Sequence, residues 1–546
     1  MSVTLTFDAA RRKTYRESGY WGDASLGDYW RQTARAVPDK IAVVDNHGAS
    51  WTYAALDYAA SRLANWLLSQ GIQPGDRVAF QLPGWCEFTL IYLACLKTGA
   101  VSVPLLPAWR EAELVWVLNK CQAKIFFAPT VFKQNRPVDL ILPLQNQLRH
   151  LTHIVGVDKL APATTALALS QIIDRSEPLQ SDINIHGDEL AAVLFTSGTE
   201  GMPKGVMLTH NNILASERAY CARLNLTWQD VFLMPAPLGH ATGFLHGVTA
   251  PFLIGARSVL LDIFTPEACL TLLAQQRCTC MSGATPFIYD LLCAVEQQPA
   301  DLSSLRFFLC GGMTIPKKVA RDCQQRGIKL LSIYGSTESS PHSMVNLGDS
   351  VSRMMNTDGY AATGVEIKIV DEDRNTLPAG HEGEEASRGP NVFMGYLDEP
   401  ELTARALDNE GWYYSGDLCR MDEDGYIKIT GRKKDIIIRG GENISSREVE
   451  DILLQHPRIH DACVVAMPDE RLGERSCAYV VLKPPHLSLT LEEVIAFFSR
   501  KRVAKYKYPE RIVIVEKLPR TASGKVQKFL LRQDIIERLR KEHTAV

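Results

Sequence analysis

Residues 196–205 read Thr-Ser-Gly-Thr-Glu-Gly-Met-Pro-Lys-Gly and lie between the apolar runs Leu190-Ala-Ala-Val-Leu-Phe195 and Gly205-Val-Met-Leu208. Apolar runs on both sides of a glycine-rich loop predict two strands joined at a turn, with no helix before Thr209. The loop composition suits a phosphate chain. Its glycines lack Cβ and let the backbone approach closely. Ser197, Thr199 and the loop amides supply donors, and Lys204 supplies a mobile positive charge. Standing alone, the same stretch also fits a polar surface turn. A Walker-type loop is disfavoured, because that loop needs an adjacent Gly-Lys-Ser/Thr followed at once by a helix. Here Pro203 precedes the lysine and an apolar run follows it.

A chain of 546 residues exceeds one ordinary core and predicts two or more domains. Its 59 basic and 62 acidic residues nearly cancel, so no global charge points to nucleic acid or to an anionic membrane. The 13 cysteines are scattered through apolar segments, a pattern of reduced thiols rather than a disulfide framework. Cys278-Thr-Cys280 lacks a second Cys/His pair at zinc-finger spacing and is read as core packing. Arg11, Arg12 and Lys13 interrupt the N-terminus before a secretory apolar region can form. The most apolar long window, 88–107, is broken by Lys97, Gly99 and proline, so it reads as a helix followed by a buried strand rather than a membrane span. The expectation is a soluble, cytoplasmic enzyme. Nothing in the residues argues for or against a peripheral membrane contact or a particular oligomer.

The first third of the chain alternates helix and strand. Leu56, Leu63 and Leu67 share one helical face, Gly71-Ile-Gln-Pro-Gly75 ends that helix, and the strand Arg77-Val-Ala-Phe-Gln-Leu82 follows. A helix over 85–98, a strand over 101–105, a helix near 111–121 and a strand over 124–127 repeat the order. It resumes with strand 257–261, helix 266–276 and strand 306–309, predicting α/β layers around largely parallel sheets. Between 365 and 430 short strands with turn signals indicate a small β-rich subdomain. A compact α/β tail then begins. Its helix over 446–455 opens on a capping box of Ser445 with Glu448 and has an apolar stripe at Val449, Ile452 and Leu453. The expected organisation is a large domain, 1–433, of layered α/β subdomains plus the β-rich part, and a smaller mobile α/β domain, 434–546.

Four further clusters bear on a nucleotide site. Tyr334-Gly-Ser-Thr-Glu338 ends an apolar approach in a carboxylate beside hydroxyls, the oxygen ligands that Mg²⁺ prefers. Gly411-Trp-Tyr-Tyr-Ser-Gly-Asp417 offers an acid to a ribose diol, with Arg432 shortly after it. Pro519-Arg-Thr-Ala-Ser-Gly-Lys525 places a lysine on a glycine-containing loop. Pro237-Leu-Gly-His240 carries a single histidine. Taken singly, each fits a solvated loop acid, a basic patch, an exposed lysine or a structural histidine. No nucleophile elbow or paired-His metal motif stands out, so covalent Ser or Cys catalysis is not indicated.

Standing in this order, the clusters resemble the acyl-adenylate-forming superfamily from about residue 25 to 535. The stretch from Asn409-Glu-Gly-Trp-Tyr-Tyr-Ser-Gly-Asp417 through Gly431-Arg-Lys-Lys-Asp-Ile436 is similar to the signature of its fatty acyl-CoA synthetases, in particular the short- and medium-chain enzymes of enteric bacteria. The resemblance implies ATP, Mg²⁺ and CoA with a fatty acid: acyl-adenylate and pyrophosphate form first, and the CoA thiol then displaces AMP. It implies that Thr196, Ser197, Gly198, Thr199 and Lys204 hold the pyrophosphate, with Thr199 also assisting the chemistry. Glu338 would hold Mg²⁺, Thr337 would lie near the α-phosphate, and Gly311, Gly312, Tyr334 and Gly335 would frame adenine. Asp417 and Arg432 would hold the ribose, His240 would line the acyl entrance, and Lys525 would act in adenylation only. Lys434 matches a hinge that brings Gly441 and its neighbours to the site for thioester formation. Glu200 departs from the threonine common in the family's loop and is given no phosphate contact. A carnitine or aryl-acid CoA ligase would keep every motif, as would an amino-acid adenylation domain or a luciferase-like oxygenase. A non-catalytic nucleotide sensor would be expected to have lost Lys204, Glu338 or Lys525, and all three are present.

Overall fold

A computed structural model describes residues 9–157, 167–181, 183–196, 203–311, 317–439, 442–469, 472–485, 488–501, 505–521 and 524–544. The chain forms two compact units. One runs up to Ile367 and adds Ser387–Tyr413; the other comprises Lys368–Ala386 and the chain from Tyr414 onward. Lys434 lies inside the second.

The first unit is built on two sheets. The seven-stranded sheet runs in the order Leu167–Ala168, His153–Val157, Ile125–Pro129, Arg77–Phe80, Val101–Pro104, Leu190–Thr196, Lys204–Thr209. It is parallel except for its last pair. The nine-stranded sheet has a parallel centre of Lys329–Tyr334, Phe307–Gly311, Cys280–Gly283, Val231–Met234, Arg257–Leu260 and Ile41–Asp45. Antiparallel strands close both of its ends. The α/β layering expected from helix–strand alternation is therefore present, with helices Tyr53–Ser69, Cys86–Thr98, Glu111–Lys120 and Pro266–Gln276 where the periodicity puts them. Leu56, Leu63 and Leu67 are fully buried.

Helix Cys86–Thr98 is apolar around its whole circumference, and every residue except Glu87 is buried. It packs against Arg77–Phe80 and Val101–Pro104 of one sheet and Ile41–Asp45 of the other. A helix wetted on no face belongs in a core, which is why this window spans a domain rather than a membrane. Its one lysine, Lys97, is buried against Asp57 at 2.7 Å, the pairing that a desolvated charge requires. No helix among the described residues is long and apolar enough to cross a membrane. No disulfide joins any of the 13 cysteines, and Cys278 and Cys280 pack in apolar clusters. Burial pushes thiols such as Cys95 up to about 12.

The second unit holds most of a four-stranded sheet, in the order Glu366–Val370, Glu382–Arg388, Tyr413–Met421, Ile427–Arg432. A second sheet pairs Glu442–Ser445, Ile436–Arg439, Gly473–Leu482 and Ile459–Asp469, with Arg511–Ile514 beside Gly473–Leu482. Helix Ser446–Leu453 buries Val449, Ile452 and Leu453. Only half of the expected capping box forms. Ser445 accepts the Glu448 amide, but the Glu448 carboxylate is drawn instead to Lys507, at 2.6 and 2.8 Å. A full charge outcompetes a backbone amide for that carboxylate.

Helix His210–Arg223 begins directly after strand Lys204–Thr209, with Thr209 as N-cap. His210, buried in its first turn, accepts the Leu26 amide at Nδ1. Burial pushes this imidazole down to about 4, against a weaker opposing pull from Asp28. The unfolded chain binds the extra proton more readily, so stability from this residue is complete above the ordinary value of 6.5 and is lost as pH falls toward 4. In pH-resolved denaturation of the first unit, His210→Asn is expected to flatten the loss of stability across that window.

Candidate active site

Four neighbouring parallel strands, Val231–Met234, Cys280–Gly283, Phe307–Gly311 and Lys329–Tyr334, point their carboxyl ends toward one edge of the nine-stranded sheet. In open α/β sheets this edge, near a reversal of strand order, is where ligands bind. Strand order reverses beside Val231–Met234, which has Arg257–Leu260 on one side and Cys280–Gly283 on the other. Gly311 ends one strand and Tyr334 the next, followed at once by Gly335. The loop carrying His240 leaves a third. A Cβ on Gly311 would come within 2.9 Å of Ile333 Cγ2, so a side chain there would force its ladder partner Ile333 to shift. Gly312 lies outside the described residues.

The phosphate-type loop caps a hairpin, as its spacing predicts. Leu190–Thr196 pairs antiparallel with Lys204–Thr209, and Thr196 stands opposite Lys204. Ser197, Gly198 and Thr199 lie outside the described residues. A segment from near residue 395 adds to the outer edge of this hairpin. The Met207 amide donates to the Gly395 carbonyl, the Leu397 amide to Gly205, and Val206 bridges Tyr396. That pairing sets Tyr396 between two expected site residues. Its hydroxyl donates to Glu338 Oε1 at 2.8 Å, and the Lys204 ammonium lies 5.8 Å from its ring centroid. Burial, reinforced by the Glu338 charge, raises the Tyr396 phenol far above its ordinary range, so it remains a donor.

Glu338 is also held through its backbone, its carbonyl accepting the Phe393 amide at 2.8 Å. Ser336 and Ser339 close the turn that contains it through reciprocal backbone hydrogen bonds. Thr337 lines a narrow slit with Ser340. The half-buried carboxylate of Glu338 beside hydroxyl oxygens is an all-oxygen donor set that fits Mg²⁺, which retains waters and takes few protein ligands. The Tyr334 ring packs against His342, centroids 4.9 Å apart. His240 is half-buried and accepts the Thr242 amide at Nδ1, which leaves the histidine just ahead of the π-helical segment Thr242–Thr249.

In the second unit, Asp417 and Arg432 stand opposite each other in the ladder between Tyr413–Met421 and Ile427–Arg432. Arg432 Nε lies 3.1 Å from Asp417 Oδ1, so the acid and base that the sequence sets fifteen residues apart form a single pair. Gly416, at φ +72°, supplies the left-handed turn that delivers Asp417 into the ladder. Lys434 falls in the 3₁₀ turn Lys433–Asp435 between two strands. Gly441 lies outside the described residues, between strands that pair Arg439 with Glu442. Lys525 ends a tight loop: its amide donates to Thr521 Oγ1, its carbonyl accepts the Thr521 amide, and Arg520 clamps the Gly524 carbonyl and Asp461.

Residues 30–397 match the AMP-binding enzyme family, and residues 448–525 match the AMP-binding enzyme C-terminal domain. The chain belongs to the AMP-binding enzyme family. A medium-chain fatty-acid–CoA ligase of Escherichia coli K12 is 83% identical over 539 residues, covering 99% of this chain and 95% of the relative. ATP-bound MatB from Rhodopseudomonas palustris superposes with a TM-score of 0.85 at 29% identity, covering 94% of this chain and 99% of MatB. An anthranilate CoA ligase in complex with anthranoyl-AMP shares the fold, with a TM-score of 0.87 at 24% identity over 96% of this chain and 98% of that one. AMP-binding enzymes of the CoA-ligase type use ATP, Mg²⁺ and CoA, and the acyl-adenylate precedes the thioester.

Within this family framework, Tyr396 is the residue that motif reading misses. Its segment follows Gly389-Pro390-Asn391, and the acids Asp398, Glu399 and Glu401 that come after it stand in no motif that marks the tyrosine. Its partners are 58 and 192 positions away. A hydrogen bond to a charged group contributes about 1.5–3 kcal/mol. Tyr396→Phe is therefore expected to lower kcat/KM for pyrophosphate release by about tenfold to a hundredfold, with a higher Mg²⁺ requirement, in a Mg²⁺ titration of the folded variant.

Proposed function

We propose that this chain is a fatty acid–CoA ligase acting on short or medium chains, and that its site residues work as follows. The observation that carries the site assignment is the Lys204–Tyr396–Glu338 line beside the carboxyl ends of the parallel strands. It sets a cation and a metal-type carboxylate around one tyrosine side chain, the arrangement a triphosphate needs. The chain-length reading rests on the medium-chain ligase at 83% identity.

In the first half-reaction a fatty carboxylate oxygen attacks the ATP α-phosphorus and pyrophosphate leaves. Thr196, Ser197, Gly198, Thr199 and Lys204 hold the departing phosphates, and Lys204 matches their growing charge. Glu338 would hold Mg²⁺, which when bound offsets phosphate charge. Thr337 steadies the α-phosphate; Gly311, Gly312, Tyr334 and Gly335 frame the adenine. The Asp417 carboxylate accepts from the ribose hydroxyls, and Arg432 keeps that carboxylate aimed. Lys525 stabilises the charge that builds on the attacking oxygen and α-phosphate, where a fixed cation lowers the barrier by several kcal/mol. In the second half-reaction the CoA thiolate attacks the acyl carbonyl and AMP leaves.

The boundary at 433/434 enters here as a hinge. Lys434 sits in a short turn flanked by strands, where a few dihedral changes can redirect everything beyond it. That movement would exchange Lys525 for the segment around Gly441. His240 would line the acyl entrance, next to the π-helical segment. The free, buried cysteines support a cytoplasmic setting.

Lys525→Ala is expected to lower acyl-AMP formation by at least a hundredfold while CoA attack on supplied acyl-AMP stays within a few-fold. Half-reaction assays of the two steps check this. Equal loss in both steps would refute the division of labour between the two domain positions.

A further inference from the structure

Behind the loop that carries Thr337 and Glu338 lies a buried polar network that the reaction as described does not use. Glu217, on helix His210–Arg223, is fully buried, and its Oε2 lies 2.9 Å from Nδ1 of His246 on the π-helical segment Thr242–Thr249. The Tyr220 ring stacks on His246 with centroids 4.2 Å apart and planes 8° apart, and its hydroxyl meets Ser282 Oγ at 3.0 Å. The Ser216 hydroxyl, beside Glu217, lies 2.7 Å from Glu217 Oε1 and also within hydrogen-bond reach of the backbone carbonyl of Ser340, two acceptors that share its one proton. Ser340 directly follows the Thr337-Glu338-Ser339 stretch. The network thus runs from the π-helical segment, through one carboxylate and one hydroxyl, to the far end of that loop.

Stability alone is a weak reason for this arrangement. Buried charged or polar pairs can often be replaced by apolar side chains of similar volume at no loss. The slit beside the network is lined by Leu208, Ile213 and Leu245 together with the polar side chains of Asn212, Ser216, Thr337, Ser340 and Asn391. A π-helical turn is itself an uncommon element that occurs most often at functional sites. It is the π-helical segment that presents His246 to Glu217.

We propose that Glu217 and His246 are positioning residues for adenylation. They orient Ser216, which holds the Ser340 carbonyl and so fixes the loop that presents Thr337 and Glu338. The same network braces the wall of the slit that Ser216 and Leu245 share with Thr337. The inference rests on reading the 335–340 loop as the nucleotide loop.

The test measures both half-reactions, with octanoate as the acid, for Glu217→Ala, Glu217→Gln, Ser216→Ala and Glu338→Gln. Misplacing reacting groups by about 1 Å costs on the order of a hundredfold. Glu217→Ala and Ser216→Ala are expected to lower kcat for octanoyl-AMP formation by about tenfold to a hundredfold, with CoA attack on supplied octanoyl-AMP within about threefold. Glu217→Gln, which keeps the contacts to Ser216 and His246, is expected to recover most of the loss. Equal loss in both half-reactions would mark a merely structural role and overturn the proposal, as would unchanged adenylation in Ser216→Ala. Should Glu217→Ala fail to fold, Ser216→Ala and Glu217→Gln decide by the same criteria. Full activity in Glu338→Gln would instead overturn the reading of the loop itself.

Discussion

Parallel pairing of Val231–Met234, Cys280–Gly283, Phe307–Gly311 and Lys329–Tyr334 is the constraint on which the candidate site in the first unit depends. Parallel strands deliver all their outgoing loops to one edge, so residues far apart in sequence converge without any local instruction. The Tyr334-Gly-Ser-Thr-Glu338 loop, Gly311 and the His240 loop all leave that edge. The seven-stranded sheet contributes separately, through a hairpin whose outer strand recruits the segment carrying Tyr396. Backbone hydrogen bonds, rather than side-chain attraction, set where Tyr396 stands. Its hydroxyl then has one carboxylate within reach.

The architecture was legible where pattern is local. Helix Cys86–Thr98 follows from a long apolar stretch, helix Pro266–Gln276 from proline at its first position, and the hairpin from two apolar runs around a loop of the wrong spacing for a P-loop. The Asp417–Arg432 pair was legible as two residues of the right chemistry, and strand register makes them one unit. Tyr396, Ser216, Glu217 and His246 were not legible. Each acquires its role from a partner on another element, and each looks ordinary in its own segment. Glu448 shows the opposite failure: a locally sound capping box loses its carboxylate to Lys507, 59 residues away.

Two kinds of polar burial coexist in the first unit. The Lys97–Asp57 pair neutralises a charge on a helix that the core needs for its apolar faces. The Glu217–His246 pair joins two buried elements, helix His210–Arg223 and the segment Thr242–Thr249, and through Ser216 it also meets the loop end at Ser340. A loop held only by its own turn would leave the Glu338 carboxylate free to move. Tyr396 fixes it from the hairpin side, and Ser216 from the helix side.

The most direct measurement of the central claim is pyrophosphate release in single turnover with ATP, Mg²⁺ and a panel of acids, before and after adding CoA. The account predicts release with octanoate and its near neighbours in the absence of CoA, accumulation of acyl-AMP, and its conversion to acyl-CoA and AMP once CoA is added. Release only with carnitine or aryl acids would contradict the substrate class, and no release with any acid would contradict the ligase assignment.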